Sequence, residues 1–179
     1  MNKSVEFEPL RESHFNLLHK WLNKPHVQAY YSVRSWTLAE VKEKFIPYVN
    51  GEKSIKGYIV ASSNQPLGYI QSYPLKKYPF KDQDLPAIIV EKAAGIDVFI
   101  GEEAKLGQGL GYSIIHTFLE KFIWPNYQYC LADPDIRNVA SIRLFKSCGF
   151  KEHKTIRSND ALGHQAMYLL FIKGSPLMG

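Results

Sequence analysis

The chain has 179 residues, 45% of them hydrophobic and 22% charged, with a formal net charge of +5. That length suits a single domain, 1–179, with a substantial core. No apolar run approaches the roughly 20 residues of a membrane span, and the absence of an apolar leader makes a cytoplasmic protein the expectation.

In chain order, "VEFEPL" alternates as a first strand. "RESHFNLLHKWLN" places Phe15, Leu18 and Leu22 on one helical face, and Asn23-Lys24-Pro25 ends it. "HVQAYYSVRSW" is irregular and aromatic. "TLAEVKEKFIPYV" opens with Thr37 and has Glu40 three residues on, a capping-box spacing ahead of Val41, Phe45 and Ile46. "KGYIVASSNQPLGYIQSYPL" reads as a hairpin around Asn64-Gln65-Pro66, with Tyr69, Gln71 and Tyr73 on one strand face and Ser72 on the other. Gln71, a polar amide between two tyrosines, needs a partner. Residues 76–92 read as a long polar loop. Within it Lys76, Lys77 and Lys81 lie near Tyr78 and Phe80, but Asp82 and Asp84 follow, so a solvated loop is favoured over a nucleic-acid surface.

"AGIDVFIG" is an apolar strand carrying one acid, Asp97; "YQYCLAD" is another, closed by Asp133-Pro134. "RNVASIRLFKSCGF" is helical, with Val139, Ile142, Leu144 and Phe145 inward and Gly149 as its stop. "KTIRS" and "HQAMYLLFIK" pair as final strands around an Asn159–Gly163 turn. The order β-α-α-β-β-β-α-β-α-β-β gives an α/β (α+β) fold around a mixed sheet. Cys130 and Cys148 read as free thiols, and no Cys/His grouping has metal-ligand spacing, so no metal is expected.

Between the "AGIDVFIG" strand and the next helix lies "LGQGLG", with Gly107, Gly109 and Gly111 alternating. A tight connection explains such glycines without a ligand. The G-x-G-x-x-G dinucleotide fingerprint and the G-x-x-x-x-G-K-[ST] phosphate loop both fail here. Alternating glycines remain, exposing several amides at a helix N-terminus to one diphosphate.

These segments resemble the acetyl-CoA-binding half of the GNAT N-acetyltransferases. "WTLAEVKEKFIPYV", "PLGYIQSY", "GIDVFIGEEAKLGQGLG" and "DPDIRNVASIRLFKSCGF" resemble, in order, the aminoglycoside 6′-N-acetyltransferases. The resemblance implies a GNAT fold, a mostly antiparallel sheet flanked by helices, and acetyl-CoA as cosubstrate. It implies a pantetheine arm beside strand residues 97–100, at Val98, Phe99 and Ile100, and a pyrophosphate on the amides of Gln108, Gly109, Leu110 and Gly111, with Leu106 and Gly107 also in the cofactor loop. Asn138 is implied to touch pantetheine or cap its helix. Asp97 is implied as the base, and Asp133, Trp36, Tyr69 and Gln71 as the acceptor wall, although an Asp-Pro turn accounts for Asp133 equally well; Asp135 and Glu91 are further candidate acids. Two positions depart from the family pattern. Leu106 stands where Gln or Arg is usual, and Phe145 where a tyrosine often protonates the leaving thiolate. No histidine, among His26, His116, His153 and His164, is assigned a role.

The expected reaction is direct acetyl transfer in a ternary complex to the 6′-amine of an aminoglycoside, by a monomer or homodimer, with no nucleic acid or membrane partner. Two alternatives stay open: acylation of another amine or hydroxylamine (siderophore precursor, polyamine, protein N-terminus), and a non-catalytic acyl-CoA-binding module.

Overall fold

A computed structural model describes residues 3–80 and 82–157, together with the backbone of Met167–Lys173. The Asn159–Gly163 turn and His164 lie outside the described residues. The strands are β1 Glu6–Pro9, β2 Lys56–Ser62, β3 Gln65–Pro74, β4 Ala93–Ile100, β5 Tyr129–Ala132, β6 Lys151–Ile156 and β7 Met167–Lys173. They form one seven-stranded sheet in the order β1-β2-β3-β4-β5-β7-β6. Only β4 and β5 run parallel; the other neighbours are antiparallel.

The helices are α1 Phe15–Leu22, α2 Pro25–Val27, α3 Leu38–Val49, α4 Ala87–Glu91, α5 Leu110–Phe118 and α6 Val139–Ser147. At α3 the capping box forms in both directions. The Thr37 side chain accepts from the Glu40 amide at 3.2 Å, and Glu40 Oε2 accepts from the Thr37 amide at 2.8 Å. Val41 and Phe45 are fully buried, whereas Ile46 is exposed. On α6 Phe145 is buried, but Val139 lies in the first turn, where the helix has not yet packed, and is exposed. The irregular aromatic stretch is helical after all: α2 runs into a π-type turn, Gln28–Ser32, which ends at Val33 in the left-handed region (φ 49°). Residues 76–92 are not loop throughout, since α4 closes them. Of their basic residues, Lys76 donates to Glu91 at 2.7 Å and Lys77 to Ser54 at 2.7 Å, while Lys81 lies outside the described residues.

The sheet has a core on each face. Ile70 and Ile96 pack with Ile114 and Phe118 of α5; Tyr69 and Phe99 pack with Trp21 of α1 and Phe45 of α3. Alternation along β3 and β4 sorts the side chains between these faces. Each fully buried side chain of this size contributes about 1.5–3 kcal/mol. The two cysteines are free, as expected.

Candidate active site

The site begins where two parallel strands part. β4 pairs with β5 only over Ala93–Gly95, against Tyr129–Leu131, and then continues alone on that side to Ile100. A cavity of about 870 Å³ opens at this fork, and Ile96 to Ile100 line it. Backbone direction alternates along a strand, and two bonds fix the phase. The Ala93 carbonyl accepts from Leu75 after β3, and the Gly101 amide donates to Leu67 of β3. Odd-numbered residues therefore face β3, while Ile96, Val98 and Ile100 turn their amides and carbonyls to the fork. Such an edge can hydrogen-bond an extended ligand as a further strand would. Phe99 differs from its expected part: its backbone faces β3, and its ring packs against Tyr31, centroids 4.6 Å apart.

At the far end of β4 the three glycines separate into two physical roles. Gly107 and Gly109 adopt φ of +69° and +75°, the left-handed region that favours glycine. Gly109 is the N-cap of α5, so its turn presents the unpaired amides of the first helical turn to the cavity. Gly111 is helical; a Cβ there would lie 2.6 Å from Leu144 Cδ2, so it sets the approach of α5 to α6. Gly107, Gly109, Leu110, Gly111 and the half-exposed Leu106 line the cavity, but Gln108 does not, since its side chain turns back to the Ala104 carbonyl at 2.7 Å. Asn138 caps α6, accepting from the Ser141 amide at 3.1 Å, and borders the cavity.

The acids sit on the other side of the fork. Asp97 lies opposite Gln71 in the β3–β4 register, and Gln71 Nε2 donates to Asp97 Oδ2 at 2.8 Å. Gln71 Oε1 accepts from the Tyr69 hydroxyl at 2.8 Å. The amide between two tyrosines thus has its partners. Tyr69, expected on the acceptor wall, lies beneath it, fully buried and off the cavity surface, because its side chain packs under α3. Asp133 follows β5 and lines the same cavity. The remaining acids are engaged. Asp135 is buried and bound by Arg137 at 2.6 and 3.0 Å, and Glu91 is paired with Lys76 away from the cavity.

Trp36 lines the cavity and is held there through its backbone. Asn23 accepts from the Trp36 amide and donates to its carbonyl, both at 2.9 Å, and the indole N–H donates to the Ser32 carbonyl at 3.3 Å. The Arg34 guanidinium stacks 3.8 Å from the Trp36 ring centre.

Tyr31 and Tyr73 also line the cavity; Tyr73 shares the strand face of Gln71, whereas no spacing in the sequence marks Tyr31. Burial first, then the charge of Asp97, pushes both phenols well above their usual range; Asp133 acts on both in the same direction. They are neutral hydroxyls at any working pH. Tyr73 fits because Gly95, its neighbour across the strands, has no side chain for its ring to strike. Phe145 lines the cavity as a carbon surface, packed on Phe150 with centroids 5.1 Å apart, and supplies no proton. Chemically, the arrangement offers an extended edge, an anion-binding turn and a hydrogen-bonded carboxylate around one space.

The profile of the acetyltransferase (GNAT) domain family matches residues 11–158. An aminoglycoside N(6′)-acetyltransferase type 1 from Klebsiella pneumoniae is 28% identical over 165 residues, covering 89% of this chain and 80% of that relative. Aminoglycoside acetyltransferase AAC(6′)-Ib, solved with coenzyme A and kanamycin, superposes with a TM-score of 0.79 at 26% identity, covering 95% of both chains. A spermidine N-acetyltransferase from Vibrio cholerae shares the fold, with a TM-score of 0.73 at 14% identity over 94% of this chain and 95% of that one. The chain belongs to the GNAT acetyltransferase family and is an acetyl-CoA-dependent N-acetyltransferase.

Proposed function

We propose that this GNAT acetyltransferase acetylates a primary amine of an aminoglycoside, at the 6′ position, by direct transfer in a ternary complex. The observation that carries the reading is Asp97, a hydrogen-bonded carboxylate on the wall of the same cavity as the open edge of β4. The aminoglycoside-acetylating relatives support the acceptor class.

Acetyl-CoA supplies an acetyl group activated as a thioester. The glycine turn, Gly107 to Gly111, suits its diphosphate, and the Val98 and Ile100 edge suits its extended arm. An amine acceptor is mostly protonated at neutral pH, and in that form its nitrogen has no lone pair to give. Asp97 takes that proton, the nitrogen bonds to the acetyl carbon, and the carbon–sulfur bond breaks with its electrons going to sulfur. Asp133, on the same cavity wall, suits a second ammonium of the acceptor. Because Phe145 has no proton to give, the CoA sulfur leaves as a thiolate.

A second reading, an acceptor with fewer charges, is favoured by the cations on the acceptor side: Lys44 borders the cavity and Arg34 covers Trp36. Thiol release from acetyl-CoA, measured with kanamycin, tobramycin, spermidine, N6-hydroxylysine and a basic peptide, separates the readings. Fast turnover on the two drugs alone, lost in Asp97→Asn, is the expected result. Turnover only on the other amines overturns the acceptor class, and binding without turnover of any of them overturns the enzyme in favour of a binding module.

A further inference from the structure

The chain of hydrogen bonds behind Asp97 has a direction. An ionised carboxylate only accepts, so the amide of Gln71 must turn its N–H₂ end toward Asp97 and its oxygen toward Tyr69. That oxygen then needs a donor, and the Tyr69 hydroxyl is one. All three side chains lie on one face of the sheet, Gln71 opposite Asp97 and Tyr69 two residues along β3. Gln71 is 7% exposed and Tyr69 not at all, so the bond between them is shielded from water, while the Gln71–Asp97 bond lies at the cavity wall. The far end reaches a third strand. Gly57 of β2 pairs with Gln71, and a Cβ at Gly57 would strike the Tyr69 hydroxyl.

We infer that Tyr69 and Gln71 are positioning residues that hold Asp97 as an oriented carboxylate, with Gly57 leaving the space this requires. This rests on the reading of Asp97 as the base. With Oδ2 receiving the amide, a proton reaching Asp97 resides on Oδ1. A proton on Oδ2 would meet an N–H instead of an acceptor, so protonation costs more than it would without Gln71. Tyr69 touches no part of the cavity and acts only through Gln71. Other groups that couple to Asp97 include Tyr31 of the π-type turn, Tyr48 of α3, Tyr73 of β3 and Cys130 of β5, all held protonated by burial first. Asp133 and Lys44 line the same cavity.

The test follows the ¹³C resonance of the Asp97 carboxyl against pH in the unliganded protein, assigned by its loss in Asp97→Asn. Tyr69→Phe keeps the ring and removes only the hydroxyl; Gln71→Leu keeps the volume and removes the amide. In both variants the Asp97 titration moves to higher pH. In Gln71→Leu, which removes the bond to the carboxylate, kcat/KM for the amine on the acid limb of the pH profile falls about tenfold, the equivalent of one charged hydrogen bond; in Tyr69→Phe, which removes only the neutral bond behind it, it falls by a smaller factor. In Tyr69→Phe, a change that touches no part of the cavity, kcat/KM on the alkaline plateau stays within about twofold of the parent, since the change is one of protonation state. Gly57→Ala moves the resonance in the same direction from a residue two strands away. An Asp97 titration unchanged in Tyr69→Phe and Gln71→Leu, with both variants folded, overturns the inference. If the resonance moves but the acid limb of activity persists in Asp97→Asn, the base assignment fails and the positioning chain stands.

Discussion

Replacing Gly111 by alanine sets two effects of opposite sign against each other. Gly111 is the second residue of α5 with helical backbone angles, so alanine there gains up to about 1 kcal/mol of helix propensity. The new Cβ would lie 2.6, 3.3 and 3.5 Å from Leu144 Cδ2, Cδ1 and Cγ. The nearest of these atoms ends a flexible, half-buried side chain, which places the overpacking cost near the low end of its range, about 1 kcal/mol. Gly111→Ala is therefore expected to be nearly neutral in the parent protein. In a Leu144→Ala background the obstruction is gone, and the same substitution is expected to stabilise by up to about 1 kcal/mol. Urea unfolding of the four proteins of the cycle reads a coupling of about 1 kcal/mol. Gly109→Ala, which has open space but a φ of +75°, destabilises by about 1 kcal/mol in both backgrounds, because its cost is torsional. Additivity of Gly111→Ala and Leu144→Ala within about 0.3 kcal/mol would falsify the division of the glycines into one for packing and others for backbone conformation.

Two further outcomes follow from the electrostatics. Glu102 accepts from the Trp21 indole at 2.7 Å and faces Lys20 at 3.4 Å, and the indole bond first holds its carboxyl below the usual range. A depressed folded value means the contribution is present above the ordinary glutamate range and lost as pH falls through the folded value. Glu102→Gln is therefore expected to cost at most about 1 kcal/mol near neutral pH, discounted for partial exposure, and nothing in strong acid; equal losses at both pH values in denaturant titrations would contradict the bond as the cause. Separately, burial and then neighbouring charge place Tyr31 and Tyr73 well above the ordinary phenol range, so ultraviolet titration of the folded protein should find both un-ionised at pH 10. Tyr31→Phe and Tyr73→Phe leave the absorbance change at that pH unaltered; a decrease in either variant sinks the assignment.

What the sequence by itself determined are the features whose physics acts within a few residues. The Thr37–Glu40 capping box, the face shared by Tyr69, Gln71 and Tyr73, and the glycines ahead of α5 are all local. So was the anomaly of one acid, Asp97, in an apolar strand, which needs a partner wherever it is buried. Periodicity misjudged Val139, because a helix position is buried only where another element covers it. Tertiary structure alone decided the rest. The cavity exists because β4 outruns its pairing with β5 after Gly95, a length mismatch between strands whose paired residues lie 36 positions apart in the chain. That fork turns the Val98 and Ile100 backbone outward and leaves Phe99 facing β3. It also draws Tyr31 to Asp97 from a stretch with no periodic pattern. The partner Gln71 required is fixed by register across two strands, and Asp135 is occupied because Arg137 folds back onto it two residues later. Local propensities specify which groups a chain can offer. Which of them meet around one space depends on where strands separate, and no short-range signal encodes that.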